Sequence, residues 1–369
     1  MKKKIALLLG VLVLMTAVFA ACSTTPTTRA KRWVENQKYT FNITLADLGR
    51  DNAFNSYNYS DAVYYKDTAV TLQEANIFAS TDEVRPVAAA GTYTMSLTLI
   101  NTTTYKLITD QVLYSQYETE TLQQIDCLAL FKDYVVAPTD EENPFSENEG
   151  RTTLRSTNHT EVEFSEKESQ YPLNSLNQTD GYYLGKTHQN VFKHDYKTVY
   201  DFENQTATVT VDNGEAEERK LKLSKGAACL DASQLLVYLR SLDKSSVAFQ
   251  DSPSVAVYDP ISDTLATATF GLTRNFNAIL NNKGTEVYTK VDSVGVIIGS
   301  TPFLSQFNLP DRLANVGEGF DVIATSSAES KLSKFTTVKF RRGWYSYEIA
   351  DYDSVENGII DALTAKEEK

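Results

Sequence analysis

The feature that most constrains this chain is a period-2 alternation of β-branched or aromatic residues with polar ones, repeated in many short runs. Tyr39-Thr40-Phe41-Asn42-Ile43-Thr44-Leu45 and the stretch from Thr92 to Ile100 are examples. Successive side chains on a strand point to opposite faces, so such runs fit sheets with one buried face. Turn residues punctuate them. Thr92 to Ile100 is followed across Asn101-Thr102-Thr103 by Thr104 to Tyr117, the pattern of a hairpin. Thr206 to Val211 precedes Asp212-Asn213-Gly214 and the strand-like Arg219 to Leu223; an Asn-Gly pair supplies the positive φ that matches strand twist. Gly284, after Asn281-Asn282-Lys283, leads into Thr285 to Val291 in the same way. The 21 Tyr and 17 Phe suit half-buried pleated surfaces. A doubly wound sheet would need a helical pattern between successive strands, and one clear pattern of that kind is present. The expected fold is mainly β, with antiparallel sheets forming a sandwich or flattened barrel.

That one pattern runs from Asp231 to Leu242. Asp231 can cap the amides that follow it, and Leu235, Leu236, Leu239 and Leu242 form an apolar stripe at helical spacing. A weaker helix is expected from Ser354 to Lys366. The acidic, turn-rich stretch from Asp140 to Gly150 reads as an exposed loop. Residues 39–352 are therefore expected to form a single β-rich domain on one continuous sheet system, with two lobes meeting near 138–180 as the alternative. Residues 353–369 would be a C-terminal helix and tail.

The N-terminus speaks of location. Lys2-Lys3-Lys4 precedes an apolar run from Ile5 to Ala21, broken by Gly10 and Thr16. As a helix that run would cover about 26 Å, ordinary for an export signal and marginal for a bilayer span. It ends Val18-Phe19-Ala20-Ala21-Cys22, which resembles the lipobox of bacterial lipoproteins. The resemblance implies removal of residues 1–21 and acylation of Cys22, which would hold the chain on the extracytoplasmic face of the cell membrane, or on the outer membrane in a two-membrane envelope. Residues 22–38 then form a polar tether, with Arg29, Lys31 and Arg32 before Trp33.

Chemistry is harder to find. A formal charge of −13 excludes nucleic acid as a partner, since a phosphate-binding surface needs an excess of Lys and Arg. Of the three histidines, His188 and His194 would lie about 20 Å apart on one straight strand, too far to share a zinc ion. No metal or cofactor is expected, and the histidines read as structural or surface groups. Asp351 to Gly358 fails as a calcium loop in either frame, because Glu356 or Thr364 falls where the turn glycine or the bidentate Glu belongs. There is no nucleophile elbow, and Gly181 to Lys186 lacks the spacing of a phosphate loop. With 48 acidic residues a carboxylate pair for glycan hydrolysis can be neither nominated nor dismissed. Cys127 and Cys229 stand either as two buried thiols or as one disulfide. Two aromatic groups, Tyr57 with Tyr59 and Trp344 with Tyr345 and Tyr347, are candidates for ligand contact, against sheet packing as the commoner role of strand aromatics.

One further resemblance covers about residues 93–270. Asp231, the run Tyr238-Leu239-Arg240-Ser241-Leu242, the paired strands from Val255 to Phe270, Lys132-Asp133-Tyr134 and Val199-Tyr200-Asp201-Phe202 are similar to an uncharacterised, mostly β extracytoplasmic family, a domain of unknown function. It implies a fold and a location and no catalytic residues. Three functions are therefore carried forward. The first is a lipid-anchored, non-catalytic protein binding an envelope or extracellular ligand. The second is a structural or protein-interaction module of the envelope. The third is an anchored glycan hydrolase.

Overall fold

The computed structural model describes residues 37–45, 84, 86–145, 150–165, 171–184, 190–241, 254–261, 263–282, 285–298, 318–327, 336–342 and 345–350. Sixteen strands among them form one sheet. In chain order they begin with β1 (Gln37–Leu45), β2 (Ala88–Leu99), β3 (Thr104–Glu118), β4 (Val135–Val136), β5 (Arg151–Ser165), β6 (Pro172–Tyr183), β7 (Asn190–Asp201) and β8 (Thr206–Val211). They continue with β9 (Ala216–Lys220), β10 (Leu230–Asp231), β11 (Ser254–Asp259), β12 (Thr264–Asn282) and β13 (Thr285–Ile298). The last three are β14 (Glu318–Ser327), β15 (Thr336–Arg342) and β16 (Tyr345–Ile349). Two short helices interrupt them, α1 (Thr119–Gln124) and α2 (Leu235–Ser241).

The sheet runs from β10 through β16 in sequence order, then passes to β1, β2, β3, β5, β6, β7, β8 and β9, with β4 paired to β5 off this path. It is an antiparallel meander in two halves, joined where β1 pairs with β16. Among the described residues the parallel pairing is β10 with β11. Residues 138–180 contribute β5 and β6 to the middle of the second half, within the one sheet.

The sheet is strongly curled. β16 and β3 are separated by β1 and β2, a lateral distance of about 14 Å on a flat sheet. Yet the hydroxyls of Tyr345 and Ser115 share a 2.9 Å hydrogen bond, and Tyr347 donates to Gln111 Oε1 at 3.0 Å. Such contacts require a concave inner face. Its alternating residues make the core: Phe41, Tyr93, Phe340 and Tyr347 are buried and ring-packed, with Phe340 and Tyr347 stacked at 4.4 Å. Gly91 is required where β2 meets β3, because a Cβ there would stand 2.2 Å from the Val112 carbonyl oxygen. Among the described residues the two sheet ends meet through side chains and not through strand pairing: Arg219 of β9 donates to the Pro260 carbonyl at 2.7 Å, and Tyr200 of β7 packs edge-on against Tyr258 of β11. The result is a curled, flattened, unclosed antiparallel sheet.

Several expectations are met locally and corrected in detail. The hairpin across Asn101 to Thr103 is β2–β3. The one at Asp212-Asn213 is β8–β9, with Thr210 opposite Ala216, so the returning strand starts three residues earlier than the expected Arg219. Asp212 and Asn213 have φ of 51° and 59°, the left-handed pair of a type I′ turn. Asp231 caps as expected: its carboxylate accepts from the Ser233 amide at 3.0 Å, and its own amide donates to Gln234 Oε1 at 3.0 Å, a capping box. The α-helix proper starts only at Leu235, after a 3-10 turn at Ala232–Gln234. Val237 and Tyr238 are buried along with Leu235 and Leu236, so the first turn of the helix is enclosed beyond the two leucines expected to face inward. The side chains of Leu239 and Arg240, and Leu242, lie outside the described residues, as do the expected helix at 354–366, residues 1–36 with Cys22, Tyr57, Tyr59 and Trp344.

Candidate functional site

The polar side chains that converge on this fold lie on the outer face of the curled sheet, where β3, β5, β6 and β7 run side by side. Register builds the site. Asp110 stands opposite His159, His159 opposite Gln178, and Gln178 opposite Asp195, one residue from each strand in a single row. Two positions along, Val112, Thr157, Asp180 and Lys193 form a second row on the same face. Between and beside the rows is an open groove of about 750 Å³, which Asp212 and Asn213 also line.

Hydrogen bonds hold the first row. His159 Nδ1 donates to Asp110 Oδ1 at 2.6 Å. The opposite ring nitrogen lies 3.4 Å from Glu161, which is paired with Lys106. That lysine, with His159, holds the Glu161 carboxyl below the usual carboxylate range against a smaller desolvation effect. Gln178 Nε2 donates to Asp195 Oδ2 at 3.2 Å. The I′ turn carries Asp212 to the end of the row, where Oδ1 accepts the Asp195 amide at 2.8 Å and Oδ2 accepts from His194 Nδ1 at 2.7 Å. The Asp195 amide, then His194, lowers the Asp212 pKa. From the inner face the floor is braced by Asn158, which donates to Asn177 Oδ1 at 3.1 Å and Thr179 Oγ1 at 2.9 Å, and by the Thr109–Thr160 hydroxyl pair.

This arrangement can bind through hydrogen bonds and negative charge. Two Asp–His pairs have the orientation of a base and its positioning carboxylate. Nucleophilic catalysis also needs a hydroxyl or thiol on the other ring nitrogen, and neither histidine has one among the described residues. Cys127 and Cys229 are free and buried in separate core clusters, which leaves no disulfide between them. Burial pushes the Cys127 thiol up to about 11 and raises that of Cys229 further, the opposite of an activated nucleophile. Among the described residues, no group of three His, Cys, Asp or Glu is placed to hold a metal ion.

The aromatics singled out from sequence are not part of this groove. Tyr345 and Tyr347 are 6% and 2% exposed inside the curl, so they serve packing and not ligand contact. The sequence offers the groove's residues no role as a site: His159 and His194 read there as structural or surface histidines. The pairing of positions 110, 159, 178 and 195 is long-range. The turn at Asp212-Asn213 was the one local signal, since it brings Asp212 back beside β7.

No family model matches this sequence, and no curated protein matches it. A solved structure, a beta-barrel-like protein of a domain of unknown function from Brucella abortus, resembles it weakly. The TM-score is 0.40 at 8% identity, over 86% of this chain and 98% of that one. No described helix is long and apolar enough to cross a membrane.

Proposed function

We propose that this chain is a lipid-anchored, extracytoplasmic protein that binds a polar envelope or extracellular ligand without turning it over. The observation that carries the binding half is the groove across β3, β5, β6 and β7, in which Asp110, Asp195 and Asp212 are set by hydrogen bonds to His159, Gln178 and the Asp195 amide before any ligand arrives. Pre-set polar groups lower the ordering cost of binding. The anchoring half rests on the export segment and on Val18-Phe19-Ala20-Ala21-Cys22. Binding is the reading preferred because the carboxylates of the groove are engaged in setting its shape: Asp110 accepts from His159, Asp195 from Gln178, and Asp212 from His194 and the Asp195 amide.

Isothermal calorimetry of the detergent-solubilised full chain against defined envelope oligosaccharides tests the reading. At least one should bind, lose affinity in Asp195→Asn, and be recovered uncleaved. Binding that ignores the groove substitution, or release of cleaved product, would overturn it.

A further inference from the structure

We infer that the groove takes a chain of amino sugars, whose ring ammonium and hydroxyl groups meet its carboxylates and amides. The inference rests on the binding reading above and names its ligand class. Charge comes first. Asp110, Asp180, Asp195 and Asp212 outnumber Lys193, His159 and His194 in the lining by four to three whatever the histidines' charge, so the groove disfavours phosphates, sulfates and uronates. Its spare capacity is for donors: Asp110 and Asp195 each keep one carboxylate oxygen that accepts no bond from a described residue. Ammonium groups make charge-assisted hydrogen bonds there, about twice as strong as neutral ones.

Among cationic ligands, shape and polarity choose. Basic peptides and polyamines carry their charge on methylene stems that need apolar surface to lie on. The lining holds one aliphatic side chain, Val112, amid amides, hydroxyls and carboxylates. An amino sugar carries its ammonium directly on a hydroxylated ring. Neutral glycans are disfavoured because the lining contains no Tyr, Trp or Phe on which a bare sugar face could stack. Strand spacing sets the reach. Asp110 and Asp195 are three strands apart, about 14 Å, so they address separate rings of one chain.

The test is calorimetry of the detergent-solubilised full chain at low salt, at a pH where ring amines are protonated. The probes are a glucosamine oligomer, a cello-oligomer of equal length and an oligogalacturonate. The glucosamine oligomer should bind about tenfold or more tighter than the cello-oligomer, and the uronate should not bind. Asp110→Asn and Asp195→Asn should each weaken the glucosamine oligomer about three- to tenfold, with an unchanged circular dichroism spectrum. If a neutral or acidic oligomer binds best and the Asn variants abolish it, the amino-sugar assignment is wrong and the groove stands. If both Asn variants bind the glucosamine oligomer as well as wild type, the groove itself is wrong. Failure of all three probes to bind overturns the assignment.

Discussion

At the scale of single residues, this protein arranges charge in pairs across strands. Lys106 of β3 reaches Glu161 one strand over, and His159 reaches Asp110 across the same ladder and Glu161 along its own strand. The consequence for pH follows from direction. A carboxyl whose pKa is lower folded than unfolded stabilises the fold above the unfolded value, and that contribution disappears as pH falls through the folded value. Glu161 is such a group, with Lys106 the leading cause. Replacing Lys106 by Met should raise the Glu161 titration midpoint toward 4.5, read by NMR of its side-chain carboxyl carbon. Because the pair is partly solvated, the stability lost at neutral pH should stay below about 1 kcal/mol. The difference between the two proteins should close in acid. An unmoved midpoint would mean that another group holds Glu161 down. None of this was legible in sequence, because Lys106 and Glu161 are 55 positions apart and only the β3–β5 register brings them together.

At the scale of elements, local chemistry was readable and its termini less so. Asp231 announced a helix start, and it caps one. Tertiary contacts then decided what that start became: Tyr200 from β7 donates its hydroxyl to the same carboxylate, within a cluster that includes Cys229 and Tyr258. Asp231 thus serves the helix and docks it to the sheet. Asp231→Ala should destabilise the fold by about 2–4 kcal/mol in urea, combining a lost cap with a buried Tyr200 hydroxyl left unsatisfied. A loss under about 0.5 kcal/mol would mean that α2 is peripheral. Hairpins were legible for the same local reason. Asp212-Asn213-Gly214 specifies its turn whatever surrounds it, while the point where β9 begins depends on its ladder with β8. The aromatic groups show the limit: Tyr345 and Tyr347 alternate correctly for a strand, but their face became the inside only because the sheet curls.

At the scale of the whole molecule, one meander accounts for the fold. The sequence pattern announced antiparallel strands and a flattened barrel or sandwich; it could not order sixteen strands, because pairings such as β1 with β16 join residues 300 positions apart. The outer groove is a product of that order, which lays β3, β5, β6 and β7 side by side. In the proposed reading, acyl chains at Cys22 hold this surface at the envelope, and the excess of acids keeps the domain off anionic headgroups. The most direct test of that account is fractionation of cells producing wild type or Cys22→Ala. Wild type should sediment with membranes and be released by detergent but not by salt, while the variant should accumulate as unprocessed precursor or appear in the soluble fraction. Identical size and identical membrane partition in the two proteins would contradict it.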